Sequence, residues 1–326
     1  MIRTILVPLD GSAFGEAALA TAQAIAAQTS ARLHLALVHV PVYGGYIDGV
    51  AILDDEADTA SRAQDQAYLQ MIQQRLRTGG QIAPSIKVLD GPIPTTLGAY
   101  AAAIDADLVV MTTHGRGGLA RFWLGSVADS FVRHSHVPVL LIHPDAAADS
   151  PIQTPQIPPR KICVALDGSP HAEQVLGPAL ALNADDTTEY LFVQIVDAMI
   201  IASAPFTPEL LQQDLSLTAE RQKAAQWYLE KLAAPLRAQG HRIQTRVIVD
   251  PQPALAILRA AREYKSDVIA LATHGHGGVR RMLLGSVADK VLRAADRPIL
   301  LYRPQFTAEH EHEGMEEHEL VAEHAL

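Results

Sequence analysis

Short runs of aliphatic residues alternate along the chain with longer segments in which apolar positions recur at helical spacing. In the first half, five mostly apolar runs predict β-strands. They are ILVPL, LHLALVHV, SIKVLD, DLVVMTT and PVLLIH. The segments between them predict helices over 12–28, 54–78, 94–104 and 126–135. Aliphatic strands that alternate with helices are typical of a parallel sheet with helices on both faces.

The second half repeats the same order of signals. Its strand signals are ICVAL, EYLFVQIV, RVIVD, DVIALAT and PILLY, and its helix signals cover 172–182, 208–239, 253–264 and 286–294. Motifs recur as well: ILVPLDGS at Ile5 matches ICVALDGS at Ile162, and DLVVMTTHG at Asp107 matches DVIALATHG at Asp267. The offsets are 157 and 160 residues, so the repeated unit is a whole domain. We therefore predict an α/β protein with two tandem, doubly wound, Rossmann-like five-stranded parallel sheets.

The repeat sets the expected domain boundaries. The first domain covers 1–145 and the second covers 160–305. Between them, 146–159 is Pro-rich and polar, which is typical of a short extended linker. The remaining residues, 306–326, form a low-complexity tail rich in Glu and His. We interpret this tail as a solvated acidic segment with at most incidental metal affinity, and we expect no metal site.

Composition and charge narrow the class of protein. Hydrophobic residues make up 48% of the 326 residues, and the formal net charge of −10 argues against a nucleic-acid-binding surface. The single cysteine, Cys163, excludes an internal disulfide and a Cys-based zinc site. No apolar stretch approaches the roughly 18 residues of a membrane span. The start, MIRTILVPLDGS, does not resemble a signal peptide, so we expect a cytoplasmic protein without membrane contact.

Acidic residues follow the first strand of each half. Asp10 and Asp167 each precede a Gly-Ser pair that opens the next helix. One interpretation is structural: the aspartates shape the turn while Ser12 and Ser169 cap the helix. The other is functional: the carboxylate accepts a hydrogen bond from a ribose hydroxyl at the point where the strand order reverses. The two roles are compatible.

The fourth strand of each half runs into a glycine-rich loop. The loops read THGRGGLARFWLGS from Thr113 and THGHGGVRRMLLGS from Thr273. Glycines let the backbone approach a ligand closely, and the free N–H groups of the following helix start attract anions. Ser126 stands three residues before Asp129, which also predicts a capping-box-like helix start. A strand, a glycine-rich loop and a Gly-Ser helix start, occurring twice, favour a phosphate-binding loop.

With these motifs the chain resembles the universal stress protein family over 2–304. The ATP-binding members carry a G-x-x-G-x9-G-(S/T) motif. Its second glycine and its Gly-Ser pair are present in both copies, as Gly115, Gly125 and Ser126, and as Gly275, Gly285 and Ser286. The first glycine is replaced by Thr112 and by Ala272. Thr112 is the more serious departure, because a β-branched side chain restricts φ and adds bulk.

The resemblance implies an ATP site in each half, with Mg²⁺ able to bridge the phosphates. It assigns the ribose contact to Asp10 and Asp167. It places the adenine pocket at Pro8, Leu9, Ala165 and Leu166, with backbone contacts to the adenine edge from Val40 and Val196. It assigns the region around the phosphates to Thr112, Gly115, Arg116, Gly125, Ser126 and Val127 in the first site, and to Ala272, Gly275, Gly285, Ser286 and Val287 in the second.

The function implied by the resemblance is nucleotide-dependent binding in a stress response, not efficient catalysis. The sequence carries no Walker A loop and no G-x-S-x-G elbow. His114 and His274 have no evident acidic partner or nucleophile in sequence, so we expect no catalytic residue. Two alternatives stay open: an interaction scaffold that binds no nucleotide, favoured by the missing first glycines, and a slow ATPase.

The resemblance also implies how the two halves associate. In the family the fifth strands pair across a two-domain interface, so VPVLLIHP and RPILLYRP are expected to pair within this chain, as in a dimer with pseudo-twofold symmetry. A homodimer of the whole chain is a further expectation. The segments 41–57 and 197–208 follow the second strands and could form lids over the two sites.

Overall fold

The computed structural model describes residues 1–47, 50–78, 83–113, 125–143, 158–182, 187–197, 208–273 and 284–304. Nearly all of the predicted linker and the whole predicted tail therefore lie outside the described residues. The same holds for most of the second predicted lid and for the interiors of both glycine-rich loops, including His114 and His274.

Strands and helices alternate in both halves, as the sequence predicts. The first half contains β1 (Thr4–Leu9), α1 (Ala13–Thr29), β2 (Arg32–His39), β3 (Tyr43–Ile47), β4 (Val50–Leu53), α2 (Asp55–Thr78), β5 (Ser85–Asp90), α3 (Ile93–Ala103), β6 (Leu108–Thr112), α4 (Ser126–His134) and β7 (Val139–Ile142). The second half contains β8 (Lys161–Leu166), α5 (Pro170–Glu173), α6 (Leu176–Ala181), β9 (Glu189–Val196), α7 (Pro208–Ala238), β10 (Arg242–Val249), α8 (Pro253–Tyr264), β11 (Val268–Ala272), α9 (Ser286–Ala294) and β12 (Ile299–Tyr302).

One sheet of ten strands runs through both halves, in the order β10-β9-β8-β11-β12-β7-β6-β1-β2-β5. Within each half the five strands are parallel and lie in the order third, second, first, fourth, fifth. This is the doubly wound arrangement that the sequence predicts. The two expected sheets are thus joined edge to edge into one.

The junction is an antiparallel pair formed by β7 and β12, as expected for the fifth strands. Leu140 lies opposite Leu300 at its centre, and Leu141 lies opposite Ile299. Because Leu140 and Leu300 hold the same position in the repeat, the pairing is isologous and its pseudo-twofold axis passes between them. Each half thereby covers a strand edge that would otherwise be open.

Helices cover the sheet on both faces. One apolar cluster lies beneath α1, α2, α5, α6 and α7 and includes Leu19, Leu69 and Leu229. The cluster on the opposite face lies beneath α3, α4, α8 and α9 and includes Phe131 and Val291. Both clusters contain residues of β7 and β12, so the two halves share their core. In the part of the chain that the structure describes, no helix is long and apolar enough to cross a membrane.

Three segments differ from the sequence prediction. The helix expected over 172–182 is split into α5 and α6, because in an unbroken helix the ring of Pro178, which lacks an N–H, would clash with the carbonyl of Gln174. The third strand of the second half begins at Arg242, four residues earlier than predicted. The first expected lid contains a two-stranded antiparallel hairpin, β3 and β4, which the glycine-rich sequence did not indicate.

Candidate nucleotide site at the carboxyl edge of the sheet

The predicted sites lie where the strand order reverses. β1 pairs with β2 on one side and β6 on the other, and β8 pairs in the same way with β9 and β11. Because the chain leaves neighbouring strands in opposite directions, a crevice forms beyond their carboxyl ends. Pro8, Leu9, Ala165 and Leu166 are the last residues of β1 and β8. All but Pro8 are buried, so they can offer a ligand mainly their backbone.

Asp10 and Asp167 organise the turn after the first strand of each half. Oδ1 of Asp10 accepts the Ser12 N–H at 3.0 Å and the Ser12 hydroxyl at 2.6 Å. Asp167 binds Ser169 at the same two distances. Both serines cap the helix that follows, which confirms the predicted N-caps. Gly11 lies in the first of these turns with a φ of 77°, a left-handed conformation that glycine adopts without strain. The ribose contact stays a prediction.

A glycine in the first turn of α1 makes the two halves differ. A Cβ atom on Gly15 would lie 2.5 Å from Oδ1 of Asp10, so the carboxylate rests directly against this turn of the helix. Ala172 holds the equivalent position in the second half, and Asp167 is more exposed than Asp10. The first carboxylate is therefore packed more closely against its helix than the second.

The ends of each glycine-rich loop meet at this edge of the sheet. The N–H of Gly125 donates to the carbonyl of Thr113 at 2.6 Å, and Gly285 donates to Thr273 at 2.7 Å. Each loop therefore leaves its strand and returns to its helix at one point, beside the end of the first strand. The predicted contacts inside the loops lie outside the described residues and stay predictions: Gly115, Arg116 and Gly275.

The helices that follow the loops begin without a side-chain cap. Their N-caps are Gly125 and Gly285, which have no side chain to accept an N–H. Ser126 and Ser286 are the first helical residues and are exposed. The predicted capping box at Ser126 is therefore wrong, since Asp129 instead accepts from an arginine one turn further along α4. The first N–H groups of both helices have no acceptor within the helix, so they can bind an anion.

The second residue of each of these helices, Val127 and Val287, packs partly buried against the core. Their side chains thus fix the helix start, and only their backbone N–H groups are suited to a phosphate. The phosphate contact that the resemblance implies for Val127 stays a prediction.

Thr112 and Ala272 end β6 and β11 within regular strand pairing, beside Ile142 and Tyr302. Neither has a positive φ. The expected restriction of φ by the β-branched side chain therefore has no consequence at Thr112, because an extended backbone suits it. Its bulk is the departure that remains: the residue is only 9% exposed, and its side chain occupies space that a glycine would leave open.

The strand register corrects one expected equivalence. The pairs β1–β2 and β8–β9 have the same register with a constant offset of 157 residues. Val196 is therefore the equivalent of His39, and Asp197 is the equivalent of Val40. Val40 lies just beyond β2 and is 63% exposed, whereas Val196 ends β9 and is 7% exposed. The sequence did not reveal this one-residue difference, because the pattern of a continuously apolar strand does not fix its register.

A buried histidine beside the first site was not predicted. His39 ends β2 and is 3% exposed. Its Nδ1 lies 2.7 Å from Oδ2 of Asp65 and its Nε2 lies 3.0 Å from Oδ1 of Asp58, both on α2. The hydrogen bond to Asp65 is the main reason that the pKa of His39 is raised, against the opposing effect of burial. The spacing of the two aspartates, two helical turns, was the signal in the sequence that they share one face of α2.

Known proteins resemble this chain in sequence and in fold. A sequence model of the Universal stress protein family matches residues 1–143 and 159–303. A universal stress protein of Mycobacterium bovis is 32% identical over 216 residues, which cover 66% of this chain and 67% of the relative. One of Mycolicibacterium smegmatis is 27% identical over 308 residues, with 92% and 97% covered.

Among solved structures, a universal stress protein from Archaeoglobus fulgidus superposes with a TM-score of 0.62 at 18% identity, with 92% of this chain and 96% of that chain covered. This likeness concerns the fold alone. The match to the family model extends over both halves of the ten-stranded sheet. The chain belongs to the universal stress protein family.

Proposed function

We propose that this chain is a stress-response protein that binds an adenine nucleotide, ATP, at the carboxyl edge of each half. Its action is nucleotide-dependent binding, with no efficient turnover. Membership of the family supports the stress-response role. The arrangement of the strand ends, the aspartates and the helix starts supports the nucleotide.

The observation that carries the proposal is that, in each half, a helix start without a side-chain cap lies at the switch point, at the end of a glycine-rich loop. α3 and α8 also lack a side-chain cap, but they follow the outermost strands, β5 and β10. In α1 the N–H of Gly15 donates to the hydroxyl oxygen of Ser12, and in α5 the N–H of Ala172 donates to that of Ser169. α4 and α9 have only glycine at the N-cap and no side-chain acceptor. A bare helix start at the switch point, at the end of a glycine-rich loop, suits the negative charge of a phosphate.

The remaining parts of a nucleotide find suitable groups beside this helix start. Asp10 and Asp167 would accept a ribose hydroxyl, and the ends of β1 and β8 would face the adenine with their backbone. Mg²⁺ would enter as the counter-ion of the nucleotide phosphates, whose oxygens it prefers as ligands. Backbone N–H groups would thus donate to the phosphates, and a carboxylate would accept from the sugar.

Thr112 favours the second candidate function, an interaction scaffold that binds no nucleotide. Its side chain stands where the family motif has its first glycine, and Ala272 adds a smaller group at the second site. We expect this bulk to weaken the first site more than the second, without closing either.

Isothermal titration of the purified protein with Mg-ATP tests the proposal. We expect two binding events, of which Gly125→Val removes the first-half event and Gly285→Val the second-half event, because a branched side chain at the N-cap blocks access to the helix start. Gly98→Val is the matched control, since a Cβ on Gly98 meets no atom within 4 Å. No heat from the unmodified protein would favour the scaffold. Phosphate release that each variant lowers and that the double variant abolishes would favour the slow ATPase.

A further inference from the structure

His39 can donate a hydrogen bond to both neighbouring carboxylates, those of Asp65 and Asp58, only when its ring is protonated to an imidazolium. Each ring nitrogen lies within hydrogen-bond distance of a carboxylate oxygen, at 2.7 Å from Asp65 and 3.0 Å from Asp58. Ionised carboxylates only accept, and a neutral imidazole has a single N–H to donate. Loss of the second proton would therefore leave a nitrogen lone pair facing a carboxylate, in a place largely shielded from water.

The Asp58 carboxylate also holds the chain that leaves β2. Its Oδ1 accepts the N–H of Val42 at 2.8 Å in addition to its contact with His39. These two contacts tie the backbone to α2 on both sides of Val40, whose peptide is the predicted contact for the adenine edge. The carbonyl of Val42 also accepts the N–H of Asp54 at 3.0 Å, so the contact through the Asp58 carboxylate oxygen is the one of these two ties that depends on His39.

The other charged groups around His39 come from α2 and the neighbouring strands. Asp90, beside His39 at the end of β5, forms a two-bond ion pair with Arg62 of α2. On the other side, Asp10 follows β1 and binds within its own turn. Carboxylates thus outnumber the one arginine of the group, which favours a charged ring. The pKa of His39 is accordingly raised, chiefly by its hydrogen bond to Asp65.

The second half lacks this histidine. Val196 holds the place of His39 and is 7% exposed. A valine cannot titrate, so no proton bound at this position can influence the second site. The second site is therefore an internal control for the first.

We infer that protonated His39 positions the Val40 backbone for the nucleotide, so that the first site loses affinity as pH rises while the second does not. This inference rests on the proposed nucleotide-binding function and makes His39 a positioning residue, since it acts through Asp58. The raised pKa gives the direction: the protonated cluster is complete below the ordinary histidine value of about 6.5 and is lost as pH rises through the higher value in the folded protein.

The test measures nucleotide affinity at each site as a function of pH. Protein with Gly285→Val retains the first site, and protein with Gly125→Val retains the second. Each is titrated with a fluorescent ATP analogue and Mg²⁺ from about pH 6 to about pH 9, a range that spans the ordinary histidine value. Both sites experience the same titration of the nucleotide phosphates, so the ratio of their dissociation constants isolates the protein. We expect the ratio of the first-site to the second-site dissociation constant to rise about tenfold across this range, which lies within the usual strength of coupling between two binding events, here those of a proton and the nucleotide.

Two variants separate positioning from a purely structural role. His39→Val, which copies the second half, should remove the pH dependence of the ratio. Asp65→Asn keeps the ring and an acceptor but removes a charge, so it should move the midpoint to lower pH. Without nucleotide, NMR titration of the His39 ring and the Val42 amide should give one shared midpoint above the ordinary histidine value.

The outcomes are distinguishable. Binding at both sites with a constant ratio overturns the inference and leaves the proposed function intact. A Val42 amide that does not follow the His39 titration overturns it as well, because the link through Asp58 would be absent. If neither site binds the nucleotide at any pH, the proposed function is overturned and the positioning role with it.

Discussion

The strand pair β7–β12 joins the two halves, and removing its central side chains tests whether they fold as one unit. Leu140 and Leu300 lie opposite each other, are 0% exposed and belong to the same apolar cluster. Leu140→Ala or Leu300→Ala should each lower the free energy of unfolding by about 2–5 kcal/mol, from lost burial and the cavity left behind. Because directly opposed side chains interact, the double variant should depart from additivity by about 0.2–1 kcal/mol.

Urea unfolding followed by circular dichroism gives the three free energies of this cycle. The matched control pairs Leu140→Ala with Leu191→Ala on β9, four strands and roughly 19 Å away, where the two losses should add. Hydrogen exchange supplies a second readout: Leu140→Ala should lower protection in β8 and β11 as well as in β1 and β6. Additive losses for Leu140 and Leu300, with exchange altered only in the first half, would refute the shared core.

Three further predictions concern single side chains. Burial raises the pKa of the Cys163 thiol to about 12. A thiol reagent at neutral pH should therefore modify Cys163 only after the protein unfolds. Rapid reaction in the native protein would contradict the buried position of this thiol. Gly15→Ala should leave the fold intact, because alanine holds the equivalent position in the second half. It should displace the Asp10 carboxylate and weaken nucleotide binding at the first site in calorimetry. Unchanged affinity would show that Asp10 does not belong to the site. Ser12→Ala should lower the unfolding free energy by about 1 kcal/mol, whereas Ser126→Ala should change it by less than about 0.5 kcal/mol, and equal losses in urea unfolding would restore a capping role for Ser126.

The repeat made most of the fold predictable from the sequence. Each half shows the same order of aliphatic runs and helical segments, from which the doubly wound sheet was predicted, whereas the pairing of the fifth strands was implied by the family resemblance. The hairpin β3–β4 was not predicted, because YGGYIDG lacks the alternation of apolar and polar residues that marks a strand. The break between α5 and α6 was foreseeable, since Pro178 stands inside the predicted helix.

Around the candidate site, the turns and helix starts could be predicted from the sequence more fully than the side-chain contacts. Ser12 and Ser169 are caps as expected, whereas Ser126 is not, because the sequence GS leaves open which of its two residues is the N-cap. The one-residue difference that places Val196 opposite His39 in the repeat appears only in the strand register. The contacts of His39 depend on how α2 packs over β2, which no local pattern specifies.

The central claim is that the uncapped starts of α4 and α9 bind the phosphates of an adenine nucleotide. A crystal structure of the protein with Mg²⁺ and a non-hydrolysable ATP analogue tests it most directly. We expect phosphate oxygens within about 3 Å of the first backbone N–H groups of these helices, with the ribose beside Asp10 or Asp167. Analogue bound elsewhere, or no analogue at either edge at saturating concentration, would contradict the account.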